Sequence, residues 1–373
     1  MTARQLGPVR RGALVGGLSL ALSAVGVARG AARTHLPPLF GSHGIAPTAV
    51  RQGAIGSCFI FATIAGLAER NPGRIEASIR ALPSGDYRVA FARGPAEIVS
   101  PADVVYARRK GFDRSTGLWA SLLFRAYAQR VERAALLEAV EADNSAPFFL
   151  RAGVLEMLRE PNAAGDLLFG AYDRSLRAAI GTRGQIDAAS LRAHLRLQLD
   201  AVQAPAGAPA MATTLLNAAK QSILNAAMGQ ELIQTLAQAV QQNPEAFGAY
   251  RAVNNGGELI QAMRAWTGDA QDYVRADPET VARILAPASD AGDVITAATA
   301  SHWHGAAAAP AWWVPNHAYT VLGFDAARQA VQIRNPWGTQ PAPNGESWVS
   351  LADFQAGFID LVTAPFGNDS AAH

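Results

Sequence analysis

A single cysteine, Cys58, stands in the run QGAIGSCF. With no second thiol it can neither close a disulfide within the chain nor build a thiolate metal site, so its value lies in packing or in reactivity. A lone cysteine is most often a small buried hydrophobe; its neighbours here point the other way. Gly53 and Gly56 allow the backbone to turn sharply into the segment Ser57 to Arg70, which is apolar at helical spacing through Ile60, Phe61, Ile64 and Leu67. That spacing predicts Cys58 in the first turn of a helix, where free backbone N–H groups and the helix dipole favour a thiolate. Gln52 lies upstream in the same run. Its side-chain amide, with the Cys58 N–H, can donate to the oxyanion formed when sulfur attacks a carbonyl; an ordinary loop glutamine is the plain alternative.

A thiol nucleophile needs a base that takes its proton and returns it to a leaving group, and histidine suits this near neutral pH. Of seven histidines, His317 opens HAYTVLGF, a predicted strand that would hold its ring rigidly. At the end of the next predicted strand, Asn335 begins NPWG. An amide oxygen there can accept from the imidazole and fix its tautomer, while Trp337 shields the bond from water. A turn-forming Asn-Pro pair beside a core tryptophan is the alternative. His302-Trp303-His304 would put two imidazoles on one face of a strand, but with no third ligand nearby they read as surface histidines, and no metal site is expected. Trp312-Trp313 reads as cleft lining or as core.

These residues need elements to carry them. The chain has 373 residues, half of them apolar, enough for one large two-lobed domain or two ordinary ones and incompatible with general disorder. After a Pro- and Gly-rich lead-in, the Cys58 helix is followed by a predicted strand pair between Tyr87 and Ala107, then helical spacing from Leu118 to Arg130. From about Val131 to Val253 the text is Ala- and Leu-rich and reads as several amphipathic helices forming a scaffold, with Ala204 to Ala212 as a joint. A helical pattern after Trp266 runs to about Leu285, and an Ala-rich, loop-like tract follows through Pro310. Strands are predicted at Ala318 to Phe324, Ala330 to Arg334 and Ser347 to Leu351. A helical N-terminal lobe thus precedes a strand-rich C-terminal lobe, an arrangement that offers a cleft between them.

Net charge is +2 with scattered basic residues, which removes any nucleic-acid footprint and any expectation of such a partner. Nearly all cations are Arg, with Lys at Lys110 and Lys220, a hint of a GC-rich bacterial coding sequence. Arg4, Arg10 and Arg11 precede an uncharged run from Gly12 to Ala28, so residues 1–28 read as a signal peptide of Sec or twin-arginine type. Its removal would leave 29 basic and 30 acidic residues. The expectation is a periplasmic or secreted protein; an uncleaved membrane anchor is the alternative, and the only route to a membrane.

Taken together, QGAIGSCFIFATIAGL, LWASLLFRAYA, GGELIQAMRAWTG, NHAYTVLGFD, IRNPWG and NGESWVSLADF closely resemble the calpain-type cysteine peptidases of the papain fold, in matching order. The resemblance covers roughly Val50 to Arg130 and Asn255 to Leu361. It implies an α+β, papain-like two-lobed fold, with a catalytic lobe at 36–130, a helical insertion at 131–253 and a second catalytic lobe at 254–366. It further implies Cys58 as nucleophile, His317 as base, Asn335 as the orienting residue, Gln52 as oxyanion donor and Trp337 in support, cleaving protein or peptide substrates through a thioester. Phe59 replaces the family's tryptophan after the nucleophile, and the insertion, a candidate seat for a regulator or partner, far exceeds the family's short connection. Calpains carry calcium-binding acids at positions that correspond here to Ala49 and Gly117, and the loop from Thr339 to Asn344 holds no acid, so no cofactor is expected and calcium is implied by the family label alone. A cell-wall amidase, a transglutaminase-like enzyme and a catalytically silent binding protein could share the Cys-His pair; the spacing of Gln52 and the NPWG run favour the peptidase.

Overall fold

The computed structural model of the chain describes residues 36–142, 148–159, 163–179, 187–229, 233–234, 248–273, 278–339 and 342–366. The expected signal segment, 1–28, lies outside them, and the loop from Thr339 to Asn344 is described only in part. Helix α1 (Cys58–Arg70) is buried from Phe59 to Ala68, and α2 (Pro72–Ser78) starts on Asn71, whose side chain accepts from the Arg74 N–H. Three short antiparallel strands follow, β1 (Ile79–Ala81), β2 (Tyr87–Val89) and β3 (Glu97–Val99), one more than the expected pair. The remainder of the region expected to be strand is instead α3 (Pro101–Arg109). Ser100 caps it through the Ala102 N–H and Pro101 occupies the first turn, and these start signals outweigh the β preference of Val104, Val105 and Tyr106.

The middle of the chain is helical, as its periodicity predicts: α4 (Leu118–Ala142), α5 (Phe148–Arg159), α6 (Ala163–Ala179), α7 (Ala188–Asp200) and α8 (Ala210–Ala227). The α7–α8 connection holds Pro205, Gly207 and Pro209. These helices bury a hydrophobic cluster of their own around Leu168, Leu191, Leu195, Ala219 and Ile223. Helix α4 crosses Arg130 without a break, with Trp119, Leu122, Leu123 and Phe124 in the cluster that surrounds α1 and Leu136 and Val140 in the helical one. Two buried ion networks fasten the two clusters together. Arg125 on α4 reaches Asp103 on α3 and Asp173 on α6, both at 3.2 Å. Arg133 bonds both oxygens of Glu97 on β3, at 2.9 and 3.2 Å, and Asp166 on α6.

After α9 (Leu259–Thr267), ended by Gly268 in the left-handed region, and α10 (Pro278–Asp290), a six-stranded antiparallel sheet takes over. Its strands are β4 (Gln271–Asp272), β5 (Val294–Thr299), β6 (Ala318–Asp325), β7 (Ala330–Arg334), β8 (Glu346–Ser350) and β9 (Phe358–Ala364), in the order β4-β9-β5-β6-β7-β8, with α11 (Leu351–Gly357) between the last two. The three expected strands are present. Part of the tract read as a loop is β5, an inner strand of the sheet, because a strand covered on both faces has no polar alternation to betray it. Helices and strands are mixed along the chain, and both sheets are antiparallel throughout among the described residues, so the class is α+β.

Helix α1 lies along β6. Thr320 Oγ1 donates to Ala62 O at 2.7 Å and Arg70 Nη2 to Leu322 O at 3.0 Å, so helix and strand advance in the same direction. Gly66 makes the close approach possible: a β-carbon there would fall 2.8 Å from Val294 Cγ1. The start of α1 therefore falls beside the start of β6.

Candidate active site

Cys58 is the first residue of α1 and is half-buried. The N–H groups of Ala318, Phe59 and Cys58 itself lie toward its sulfur and favour the thiolate. The Cys58 and Phe59 N–H groups, in the first turn of a helix, have no intrahelical acceptor, so the fold leaves them available. Ala318 follows His317 directly, which puts thiol and imidazole at one junction.

His317 is buried and held by its own backbone. Its N–H donates to Thr299 Oγ1 and the Thr299 N–H donates back to His317 O, both at 2.9 Å, while Asn316 turns the chain just ahead of it at φ 51. On the ring, Nε2 lies 2.9 Å from Asn335 Oδ1, and the same oxygen accepts from the Trp337 N–H at 3.0 Å. An amide oxygen only accepts, so Nε2 must carry the proton and the neutral ring keeps its lone pair at Nδ1. The Trp337 ring covers the imidazole with centroids 4.7 Å apart. Asn335 is itself buried at the end of β7, one strand over from His317.

Burial works against ionisation at both partners. It pushes the Cys58 thiol up, against the three N–H groups that favour the anion, and it lowers the His317 imidazolium to about 4, against the Asn335 bond that favours it. Burial thus opposes the charged form at both residues. This differs from the pre-formed thiolate that the helix N-terminus alone suggests; withdrawal from water outweighs the dipole.

Gln52 is buried in the loop before α1. Its backbone N–H donates to Pro336 O at 2.8 Å, joining this loop to the NPWG turn, and its Nε2 donates to Ile55 O at 2.7 Å, which leaves one amide hydrogen uncommitted by that bond. Neither Gly53 nor Gly56 adopts a positive φ. Both are required by close approach instead: a β-carbon would fall 1.8 Å from Gly111 O at Gly53 and 2.5 Å from Asn254 O at Gly56.

All five residues singled out from the sequence thus lie on three adjoining pieces of chain: the loop into α1, the start of β6 and the turn after β7. Two positioning residues escaped the sequence reading. Thr299, which brackets His317, sits at the end of the unrecognised strand β5. Arg334 is fully buried beside Asn335 and donates to Val50 O at 2.7 Å; burial lowers its guanidinium to about 10, with Glu346 opposing. The sole hint of it was an arginine inside a short apolar run. His302 and His304 are exposed, as expected of surface residues. Trp312 is core, stacked on Phe358, whereas Trp303 and Trp313 are half-buried. Ala49 O accepts from the Thr116 N–H at 2.9 Å, so the two loops that calpains furnish with calcium-binding acids are joined here by a backbone bond, with no carboxylate at Ala49 or Gly117. These residues do not fit a calcium ion. Among the described residues no helix is long and apolar enough to cross a membrane.

Residues 219–348 match the calpain family cysteine protease model, a stretch that contains His317, Asn335 and Trp337 but not Cys58 or Gln52. The match supports a calpain-type cysteine peptidase domain in this chain. No curated protein matches the chain. Among solved structures, the chain is similar to the crystal structure of PepW from Lactobacillus rhamnosis HN001 at 11% identity, with a TM-score of 0.30, covering 89% of this chain and 82% of that one.

Proposed function

We propose that this protein is a cysteine endopeptidase in which Cys58 attacks the peptide carbonyl, His317 moves the proton and Asn335 orients the ring. The observation that supports this reading is the tautomer: a buried imidazole whose Nε2 is tied to Asn335 keeps Nδ1 as its basic nitrogen, on the residue next to Ala318, whose N–H lies toward the Cys58 sulfur. In the first half of the reaction the thiol proton passes to His317 Nδ1 as sulfur bonds to the carbonyl carbon. The oxyanion takes hydrogen bonds from the Cys58 N–H and the Gln52 amide. The C–N bond then breaks, His317 returns the proton to the leaving amine, and a thioester remains. Water, deprotonated by the same imidazole, attacks the thioester and releases the acid and the thiol.

The same reading gives the chain a papain-like pair of catalytic lobes, 36–130 and 254–366, with 131–253 as a helical insertion able to seat a regulator. Activity needs no calcium, and the protein is exported through its N-terminal segment. Labelling of Cys58 by an epoxide thiol inhibitor, followed by incubation with casein and with purified peptidoglycan, tests the core of it. Labelling with casein cleavage is expected. A folded sample in which Cys58 resists the label is a silent binder, and cleavage of wall material alone makes the enzyme an amidase.

A further inference from the structure

A cavity of ≈ 490 Å³ opens beside Gln52 and Trp337, lined also by Arg51, Gly53, Ala54, Arg114 and Thr339. Its position relative to the reacting groups follows from the imidazole. His317 must deliver its proton to the leaving amine, and Trp337 covers the face of that ring. Gln52, the proposed oxyanion donor, and Trp337 both line the cavity, so a fragment departing with the amine would reach it along Trp337 while the acyl fragment stays on Cys58.

The lining is electrically one-sided. Among the described residues that line it are two arginines and no acidic residue. Arg114 is exposed, Arg51 is half-buried, and neither has an ion pair among the described residues. Arg51 Nε is buried and has no acceptor among the described residues. The stem of Arg51 is held in place by the NPWG turn: its Cγ lies 3.0 Å, and Arg334 Nη2 3.4 Å, from the point where a β-carbon on Gly338 would sit. A third cation is thus packed against the same wall, with Glu346 opposing its charge. Fixed positive charge in a partly enclosed space concentrates anions, and a guanidinium fork matches a carboxylate in geometry as well as sign.

We infer that this cavity is the leaving-group subsite of the proposed peptidase and that Arg51 and Arg114 select substrates bearing a carboxylate there, either an Asp or Glu side chain or the C-terminus of a short leaving fragment. The inference rests on Cys58 being the nucleophile.

The test uses the full chain and four fluorogenic peptides that are identical before the scissile bond. After it they carry Asp or Ala, each with a free or an amidated C-terminus. Values of kcat/KM should be roughly tenfold higher or more for a carboxylate-bearing leaving group than for the amidated Ala peptide, the size of one charge-assisted hydrogen bond. The two Asp peptides read the side chain and the free Ala peptide reads the C-terminus. Arg114→Ala and Arg51→Ala should each shrink that ratio, and added salt should shrink it in the wild type. Binding of the same peptides to Cys58→Ala gives the preference without turnover. Cleavage of all four peptides at equal rates, or a ratio that both arginine variants leave intact, overturns the inference and leaves the peptidase standing. Failure to cleave any peptide, with Cys58 unlabelled, removes both.

Discussion

Asn335 Oδ1 accepts two hydrogen bonds at once, from His317 Nε2 at 2.9 Å and from the Trp337 N–H at 3.0 Å. The second bond gives the first its meaning, because it fixes which end of the amide faces the ring. Asn335→Ala should free the imidazole to rotate and to exchange tautomers. We expect kcat to fall by about tenfold to a hundredfold with KM little changed, whereas His317→Ala should cost the whole of general-base catalysis, roughly a hundredfold to ten-thousandfold. Steady-state kinetics on one peptide decide it; an Asn335→Ala enzyme within twofold of wild type would remove the orienting role.

Because the His317 imidazolium is lowered to about 4, the base remains neutral well below the ordinary histidine range. The acid limb of kcat/KM should therefore fall below pH 6.5. Stability carries the same sign. Between about pH 6.5 and 4 the unfolded chain takes up a proton on this histidine that the folded chain refuses, so its contribution is complete above 6.5 and is lost as pH falls through that window. Denaturant midpoints of wild type and His317→Gln should converge on acidification; parallel curves would place the perturbation elsewhere.

With its thiol pushed up by burial, Cys58 should be alkylated slowly at neutral pH, at a rate that keeps climbing beyond the ordinary thiol range of about 8.5. A plateau already reached near pH 6 would instead reveal a standing thiolate–imidazolium pair.

Arg125 bridges Asp103 and Asp173 in the dry seam between the two hydrophobic clusters, with a side chain that is 1% exposed. Arg125→Ala removes a cation that both buried carboxylates share, and breaking a pair of this kind costs about 3–5 kcal/mol. Chemical denaturation should show a loss of that order. A change under about 1 kcal/mol would mean that water reaches the seam.

Chelation should leave peptide cleavage unchanged, since Ala49 and Gly117 offer no carboxylate and the loops they occupy are already tied by the Thr116–Ala49 backbone bond. An activity that falls on adding a calcium-selective chelator and returns with the ion would show a site built from other residues.

Much of the candidate site's placement was legible in the sequence because its residues sit at element boundaries, where residue type is most constrained. Cys58 begins a helix, His317 precedes a strand and Asn335 follows one, and periodicity reports such boundaries well. The supports were harder to see. Thr299 lies on β5, whose sequence VITAAT reads like the Ala-rich tract around it because both faces of the strand are covered. Arg334 defied expectation by entering the core as a cation, an event decided by the carbonyl of Val50, far away in the chain. In α3 the reverse occurred: local β preference was visible, yet Ser100 and Pro101 carried the stronger signal. The shifts at Cys58 and His317 depend on how much chain covers them, which no local pattern encodes.

Helix α4 has one end in each hydrophobic cluster and no Pro or Gly along its 25 residues. Near its start, Phe124 packs against Phe61 on the helix that begins at Cys58, with ring centroids 4.7 Å apart. Such a rod cannot fold at its middle. A push on its distal turns would travel as a tilt rather than die out in a hinge, and its fulcrum would lie one helix away from the sulfur.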